Sequence, residues 1–352
     1  MAVKRSKFES ETFKQLIGGS TASSACSMQG DKFERKTFKL LIGGILQAML
    51  AVCRGIKMIV NYKMILQYDG TRYNGWQKQG NTKNTIQGKI EEILFKYFGQ
   101  EIELHGSGRT DAGVHAVGQV ANFKVEYQKA SIDKIYGAEN NIGADKEAGR
   151  LKDNAVEKIK DELNSFLPED IRILTLEQAD NRFHARLNAV EKEYRYYISL
   201  DRKRDVFARK YMAQLEYPEK LDMERMRSAS EKFIGEHDFQ GFSDNKSKKS
   251  TIRRIDSIEF RLCSENIDNA DNYTEKVHNG NVSAVQDGCL EIIFRGNGFL
   301  YHTVRLIVGT LLAVGMGEAS ADVADEIFES CDRKRVPYMA PAEGLFLYRV
   351  EY

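Results

Sequence analysis

Between two apolar runs the chain reads Gly106-Ser107-Gly108-Arg109-Thr110-Asp111-Ala112-Gly113-Val114-His115-Ala116. Three glycines in eight residues allow tight, positive-φ turns and a close approach of backbone to a ligand. One guanidinium, one carboxylate and one imidazole then project from a rigid base, a common arrangement for catalytic loops. The same residues also suit a plain hairpin turn in which Asp111 accepts backbone hydrogen bonds. A phosphate-cradling loop is excluded, because no G-x-x-x-x-G-K-[ST] occurs. The six histidines do not cluster, so no metal site is expected. Cys26, Cys53, Cys263, Cys289 and Cys331 are odd in number and far apart. They read as reduced intracellular thiols, with neither a disulfide scaffold nor a C-x-x-C zinc pair.

Elements that could hold such a loop are visible on both sides of it. Met64, Leu66 and Tyr68 alternate with more polar neighbours, the mark of a half-buried strand, and Asp69-Gly70-Thr71 ends it. Asn84-Thr85, with Gln87 three residues after Asn84, reads as a helix start. Ile86, Ile90, Ile93, Leu94 and Tyr97 follow at helical spacing until Gly99. Strand-like runs occupy 101–105 and 117–125. A helix fits 151–167, with Ala155, Ile159, Leu163 and Phe166 on one stripe. The polar stretch 128–150 reads as a surface insertion.

A second cycle begins at Lys192–Ser199, a strand with Tyr194, Tyr196 and Ile198 on one face and Tyr197 on the other. Asp222 can cap a helix carrying Met223, Met226, Ala229 and Phe233. Ile258, Phe260 and Leu262 alternate as a strand, as do Leu290, Ile292 and Phe294. Hydrophilic 264–286 reads as a hairpin tip, and helix signals follow at 300–314 and at 321–331, the latter capped by Ser320. Strands and helices interspersed twice over indicate two α/β halves with largely antiparallel sheets.

Residues 1–57 stand apart. They carry ten Lys/Arg against four Asp/Glu, while 58–352 carries 42 against 47. They also contain a near-repeat: 7–19 and 32–44 match at ten of thirteen positions. Two copies are too few for a solenoid, so 1–57 is expected to be a poorly ordered or non-native appendage. The acidic body argues mildly against nucleic acid, since phosphate contacts need cations. The clusters Arg202-Lys203-Arg204, Lys246 with Lys248-Lys249, Arg253-Arg254 and Arg333-Lys334-Arg335 soften that objection. The apolar run Leu40–Cys53 is too short to span a membrane, and the expected compartment is the cytoplasm.

The loop motif G-R-T-D-A-G-V-H-A resembles the signature of the TruA-type transfer-RNA pseudouridine synthases. Five further blocks, in order, share the resemblance. They are Tyr68-Asp69-Gly70 with Tyr73, Gly75, Trp76, Gln77 and Gln79; Phe183-His184-Ala185-Arg186 with Lys192-Glu193-Tyr194-Arg195-Tyr196; and Gly235-Glu236-His237-Asp238-Phe239. Gly296-Asn297-Gly298-Phe299-Leu300-Tyr301-His302 with Val304-Arg305, and Ala340-Pro341-Ala342 with Gly344-Leu345, complete the set. One departure is Arg335-Val336-Pro337-Tyr338-Met339, where the family usually has Gly and Thr.

The resemblance implies an α+β fold of two similar subdomains, 58–178 carrying the nucleophile loop and 179–352. Their mainly antiparallel sheets would join side by side, flanked by helices, with a central cleft. It implies isomerisation of uridines 38, 39 and 40 in the anticodon arm of tRNA, a homodimer, and no cofactor, since the reaction is redox-neutral. Asp111 would be the nucleophile and Arg305 its ion-pair partner. Tyr194 would pack against the target base and assist proton removal from C5. Arg109 would contact phosphate or fill the gap left by an extruded base. Without the motif, Arg305 reads as a helix-surface arginine, Tyr194 as a core tyrosine and Arg109 as a turn arginine. His115 and His302 read as structural histidines, and Trp76 and Gln77 as braces of the first turn. Two other function classes fit the residues: a non-catalytic RNA-binding or RNA-folding module, and, more weakly, a hydrolase using Asp111 as base.

Overall fold

The computed structural model describes residues 57–80, 82–128, 153–201, 206–244, 249–263 and 288–352. The repeats, almost all of the 1–57 appendage, the bodies of both insertions, Arg202–Arg204, Lys246 and Lys248 lie outside the described residues. The elements that position the site belong to one compact unit, made of Met58–Tyr127 and Ile132–Tyr352.

Strand β1 (Lys57–Tyr68) obeys the period-2 rule: Val60, Tyr62, Met64, Leu66 and Tyr68 are all buried. Helix α1 (Ile86–Phe98) buries Ile86, Ile90, Ile93 and Leu94 and ends at Gly99 in the left-handed conformation. Its cap differs from the expected box. Thr85 is the N-cap and accepts from Gly88 N. Asn84 is drawn away to the carbonyl of Arg72, and the Gln87 amide bonds Lys78, Glu91 and Leu104. The run 101–105 forms only the two-residue β2 (His105–Gly106), although Ile102 and Leu104 are buried. β3 (His115–Gln128) follows the glycine-rich loop.

Helix α2 (Asp153–Phe166) buries Val156, Ile159 and Leu163, whereas Phe166 is 64% exposed. The stripe thus passes through Val156, and Phe166, at the helix end, falls off it. β4 (Ile171–Ala179), not anticipated, pairs with β1 in antiparallel register. β5 (Glu191–Ser199), β6 (Ala213–Gln214), α3 (Met223–Ser230), β7 (Gly235–Asp238), β8 (Ile252–Cys263) and β9 (Cys289–Gly296) come next. Helices α4 (Thr303–Gly315) and α5 (Val323–Ser330) precede the last strand, β10 (Leu345–Glu351).

One sheet runs through all ten strands in the order β4-β1-β3-β10-β5-β9-β8-β7, with β2 beside β3 and β6 beside β5. The pairs β1–β4, β2–β3, β5–β10, β5–β9, β8–β9 and β7–β8 are antiparallel. The seam between the flanks is parallel and short: Phe346 faces His115 and Leu347 faces Ala116. Parallel pairing brings together the segments that precede the two strands. The glycine-rich loop and 336–344 therefore meet, and Ala342 lies against Gly113.

The faces of β5 show why the sheet is covered on both sides. Tyr194, Tyr196 and Ile198 enter the main core, while Tyr197 joins Val117, Met212, Cys289 and Phe346 in a smaller one. On that second face Glu193, 3% exposed, receives Arg195 and Arg295, each at 2.8 Å, and Arg195 also reaches Glu291 at 3.0 Å.

Every residue of α4 is buried, the pattern of a helix that is hydrophobic all round. It crosses the segment before β10 at a distance only glycine permits: a Cβ on Gly309 would lie 2.0 Å from the carbonyl oxygen of Tyr338. Among the described residues no helix is long and apolar enough to cross a membrane.

Gly309→Ala should push α4 away from 336–340 and lower stability by about 1–3 kcal/mol. Thermal unfolding followed by circular dichroism checks this; a midpoint equal to the parent's would contradict so tight a contact.

Candidate active site

The glycine-rich loop is clasped by the residues of the opening block. Tyr68 Oη bonds Thr110 Oγ1 at 2.7 Å. Trp76 N donates to the Thr110 carbonyl at 3.0 Å, and Gly113 N to the Tyr73 carbonyl at 3.3 Å. Gly113 has φ 80°, so a side chain there would be strained and the loop could not close as it does. Trp76 is buried, in keeping with a brace. From below, Ser107 Oγ bonds Gln119 at 2.6 Å and Lys192 Nζ donates to the Ser107 carbonyl at 2.7 Å.

Asp111 sits at the crest of this loop with its side chain only 11% exposed. Arg305 Nη1 lies 3.4 Å and His302 Nε2 3.7 Å from the same carboxylate oxygen, Oδ2. Oδ1 has no hydrogen-bond partner among the described residues. Arg305 is not a helix-surface arginine. It is 9% exposed in the fully buried α4, and its Nε donates to the Ala340 carbonyl at 2.8 Å. The Ala340 N–H answers by bonding the Arg305 carbonyl at 3.0 Å. Burial pushes the Asp111 carboxyl above the usual carboxylate range; His302 and Arg305 pull the other way without cancelling it.

Tyr194, 6% exposed, packs edge-on against Phe299 at 5.1 Å, and both line the cleft with Asp111, His302 and Leu345. Burial, then the neighbouring Tyr68 hydroxyl and the Asp111 carboxyl, raise its phenol well above the ordinary tyrosine range. Its hydroxyl therefore stays protonated and can donate a hydrogen bond, but is a poor proton acceptor. Arg109 is exposed at the cleft and makes no hydrogen bond or ion pair among the described residues. All four candidates, Asp111, Arg305, Tyr194 and Arg109, are thus brought together.

His115 is not part of the cleft. It is 1% exposed, stacked on Phe346 at 4.6 Å, and its Nε2 meets the Lys210 carbonyl at 2.9 Å. That is the structural role expected of it. His302, in contrast, faces Asp111. Its Nδ1 lies 2.6 Å from Asp244 Oδ2, and Arg333 Nε donates to Asp244 Oδ1 at 3.0 Å. Burial works against the Asp244 carboxylate, but the His302 hydrogen bond and Arg333 outweigh it and hold the carboxyl below its usual range.

The sequence alone assigns Asp244 and Lys192 no role. Asp244 carries no local signal, because its partner is 58 residues away. Lys192 could have drawn notice as a lysine on the apolar face of a strand; burial, then Arg186 and Arg253, lower its ammonium to about 8. Arg333, expected as part of a basic surface cluster, instead supports Asp244.

The sequence matches the family described as tRNA pseudouridine synthase over residues 64–188 and 229–352. Those segments contain Arg109, Asp111 and Arg305; Tyr194 falls between them. The tRNA pseudouridine synthase A of Bacillus sp. strain KSM-64 is 40% identical over 296 residues, 83% of this chain and 99% of the relative. The tRNA pseudouridine synthase A 2 of Bacillus anthracis is 37% identical over 293 residues, with the same coverage. That of Thermodesulfovibrio yellowstonii, named tRNA pseudouridine synthase A, is 36% identical over 294 residues, 84% of this chain and all of the relative. With near-complete coverage of such relatives, and both matched segments converging on one buried carboxylate, this chain belongs to the tRNA pseudouridine synthase family.

Proposed function

We propose that this chain isomerises uridines 38, 39 and 40 in the anticodon arm of tRNA to pseudouridine, with Asp111 as the nucleophile. The observation that carries this reading is the Asp111 carboxylate: buried, paired through Oδ2, and unpartnered at Oδ1 among the described residues. A carboxylate can add to an electrophilic carbon and leave again, which suits a step that must hold the sugar while the base turns.

In the net reaction the N1–C1′ bond breaks, the C5–C1′ bond forms, C5 loses a proton and N1 gains one. Oδ1 of Asp111 either attacks C1′ or removes the C2′ proton to give a glycal. Arg305 keeps the carboxylate ionised against the pressure of burial. Tyr194 packs on the uracil and, as a neutral phenol, donates to it; this favours a positioning role over the removal of the C5 proton that the resemblance implies. Arg109 contacts phosphate or occupies the gap left by the extruded base. We further read 58–178 and 179–352 as two subdomains meeting at the cleft, the enzyme as a cytoplasmic homodimer, and recognition as governed by RNA shape and backbone.

Isomerisation must release tritium from tRNA labelled at uracil C5. The wild-type enzyme should release it, and Asp111→Asn should bind tRNA normally while its rate falls at least about 1,000-fold. Absence of release by the wild type would leave a non-catalytic RNA-binding module as the reading.

Tyr194→Phe keeps the ring and loses the donor. A drop in single-turnover rate of roughly 10–100-fold with near-normal tRNA affinity is expected.

The pH dependence of stability has a defined sign. The folded protein holds the Asp111 proton more tightly than the unfolded chain does. Ionisation therefore costs no stability below the ordinary carboxylate range and costs it in full above the raised folded value. The midpoint of Asp111→Asn should therefore rise relative to that of the wild type as the pH is raised through that window. The variant also takes the counter-charge from Arg305, a cost that does not vary with pH over this window, so the sign is read from the trend with pH. Calorimetry across pH checks the trend; a variant midpoint that falls relative to the wild type's as the pH rises would contradict it.

A further inference from the structure

His302 occupies the N-cap of α4 with its backbone in the left-handed region, φ 69°. That region is uncommon for residues other than glycine, and it marks a position worth explaining. An N-cap side chain ordinarily accepts a hydrogen bond from the first helical turn; the His302 side chain makes no such bond. It turns instead between two carboxylates, with Nδ1 at 2.6 Å from Asp244 Oδ2 and Nε2 at 3.7 Å from Asp111 Oδ2. The Tyr301 ring stacks on the imidazole at 3.7 Å, and the Asp244 N–H bonds the Tyr301 carbonyl at 3.2 Å. Arg333 holds the far oxygen of Asp244.

The charged and titratable groups around the ring are thus Asp111 from the glycine-rich loop, Asp244 from the loop after β7, Tyr301 and Arg305 beside it on the chain, and Arg333 from the turn after α5. Asp244 accepts at Nδ1, so that nitrogen carries a proton. At the other end of the ring Nε2 faces Asp111 Oδ2 at 3.7 Å, on the same oxygen that Arg305 reaches.

We propose that His302 is a positioning residue for the nucleophile: its ring, held by Asp244 and Arg333, joins Arg305 beside Oδ2 of Asp111 and leaves Oδ1 to meet the ribose. The proposal rests on the functional reading above. It makes Oδ2 the anchored oxygen and Oδ1 the reactive one. It also gives the strained backbone at His302 a purpose, since that turn aims the ring at the loop and away from the helix end.

The test is single-turnover release of C5 tritium from tRNA as a function of pH, for wild type, His302→Asn and Asp244→Asn, with tRNA affinity measured alongside. Asparagine tolerates the left-handed backbone, so His302→Asn removes the ring without forcing the turn to change. His302 pulls the Asp111 carboxyl down, so its removal lets the carboxyl rise further. His302→Asn should therefore slow the step about 10–100-fold and move the acidic limb of the profile to higher pH, with tRNA affinity within about threefold. Asp244→Asn, which removes the carboxylate that holds Nδ1, should slow the step too with tRNA affinity within about threefold, and it carries the same test should His302→Asn not fold. A His302 variant with the wild-type rate and profile, or one altered only in tRNA affinity, would overturn the proposal. Wild-type release beside an unaltered variant profile ends this inference alone; no release by the wild type ends the functional reading.

Discussion

The site depends on a carboxylate kept from water. Removing a charge from solvent costs several kcal/mol unless a partner is held in place to meet it. Asp111 has that partner in Arg305, and Arg305 is a buried charge with the same need. Each is tied down by backbone as well: the loop through Thr110 and Gly113, the arginine through a two-way exchange with Ala340. The match is incomplete, because burial still outweighs the cations at Asp111. The protein carries that carboxylate at some expense in stability.

Positioning that pair is the work of the seam between β3 and β10. The two strands run parallel, so the loop that enters one and the segment that enters the other lie side by side. Ala340 to Ala342 then bridge from α4 to the glycine-rich loop, with the Tyr196 hydroxyl bonding the Pro341 carbonyl at 2.8 Å. Only two registered residue pairs form the seam. The remainder of the junction is side-chain packing from the even positions of β5 and the buried helix α4, which explains why a helix of such uniform apolarity carries one arginine.

The surrounding groups divide by protonation. Tyr194 is held neutral, Asp244 is held ionised, and Asp111 is pushed toward neutrality but pulled back by its cations. Paired titratable groups driven in opposite directions are characteristic of sites that manage protons. Arg109, exposed at the cleft, makes no hydrogen bond or ion pair among the described residues.

Much of this was legible in the sequence. The alternation in β1 and β5, the stripe of α1 and the ordered motif blocks depend on local periodicity and on residue type, and these are properties of the chain itself. The candidate quartet Asp111, Arg305, Tyr194 and Arg109 came from the family resemblance, and the structure brings the four side chains to one cleft. The tertiary structure alone decided which partners meet. Asp244 and His302 are 58 residues apart, and Arg305 and Asp111 are 194 apart. No local pattern encodes such pairings; they follow from which strands sit together. The N-cap at Thr85, the exposure of Phe166 and the burial of Arg305 were misjudged or left open for the same reason. Each depends on what the rest of the molecule places around a residue, and that is settled only when the sheet closes across its parallel seam.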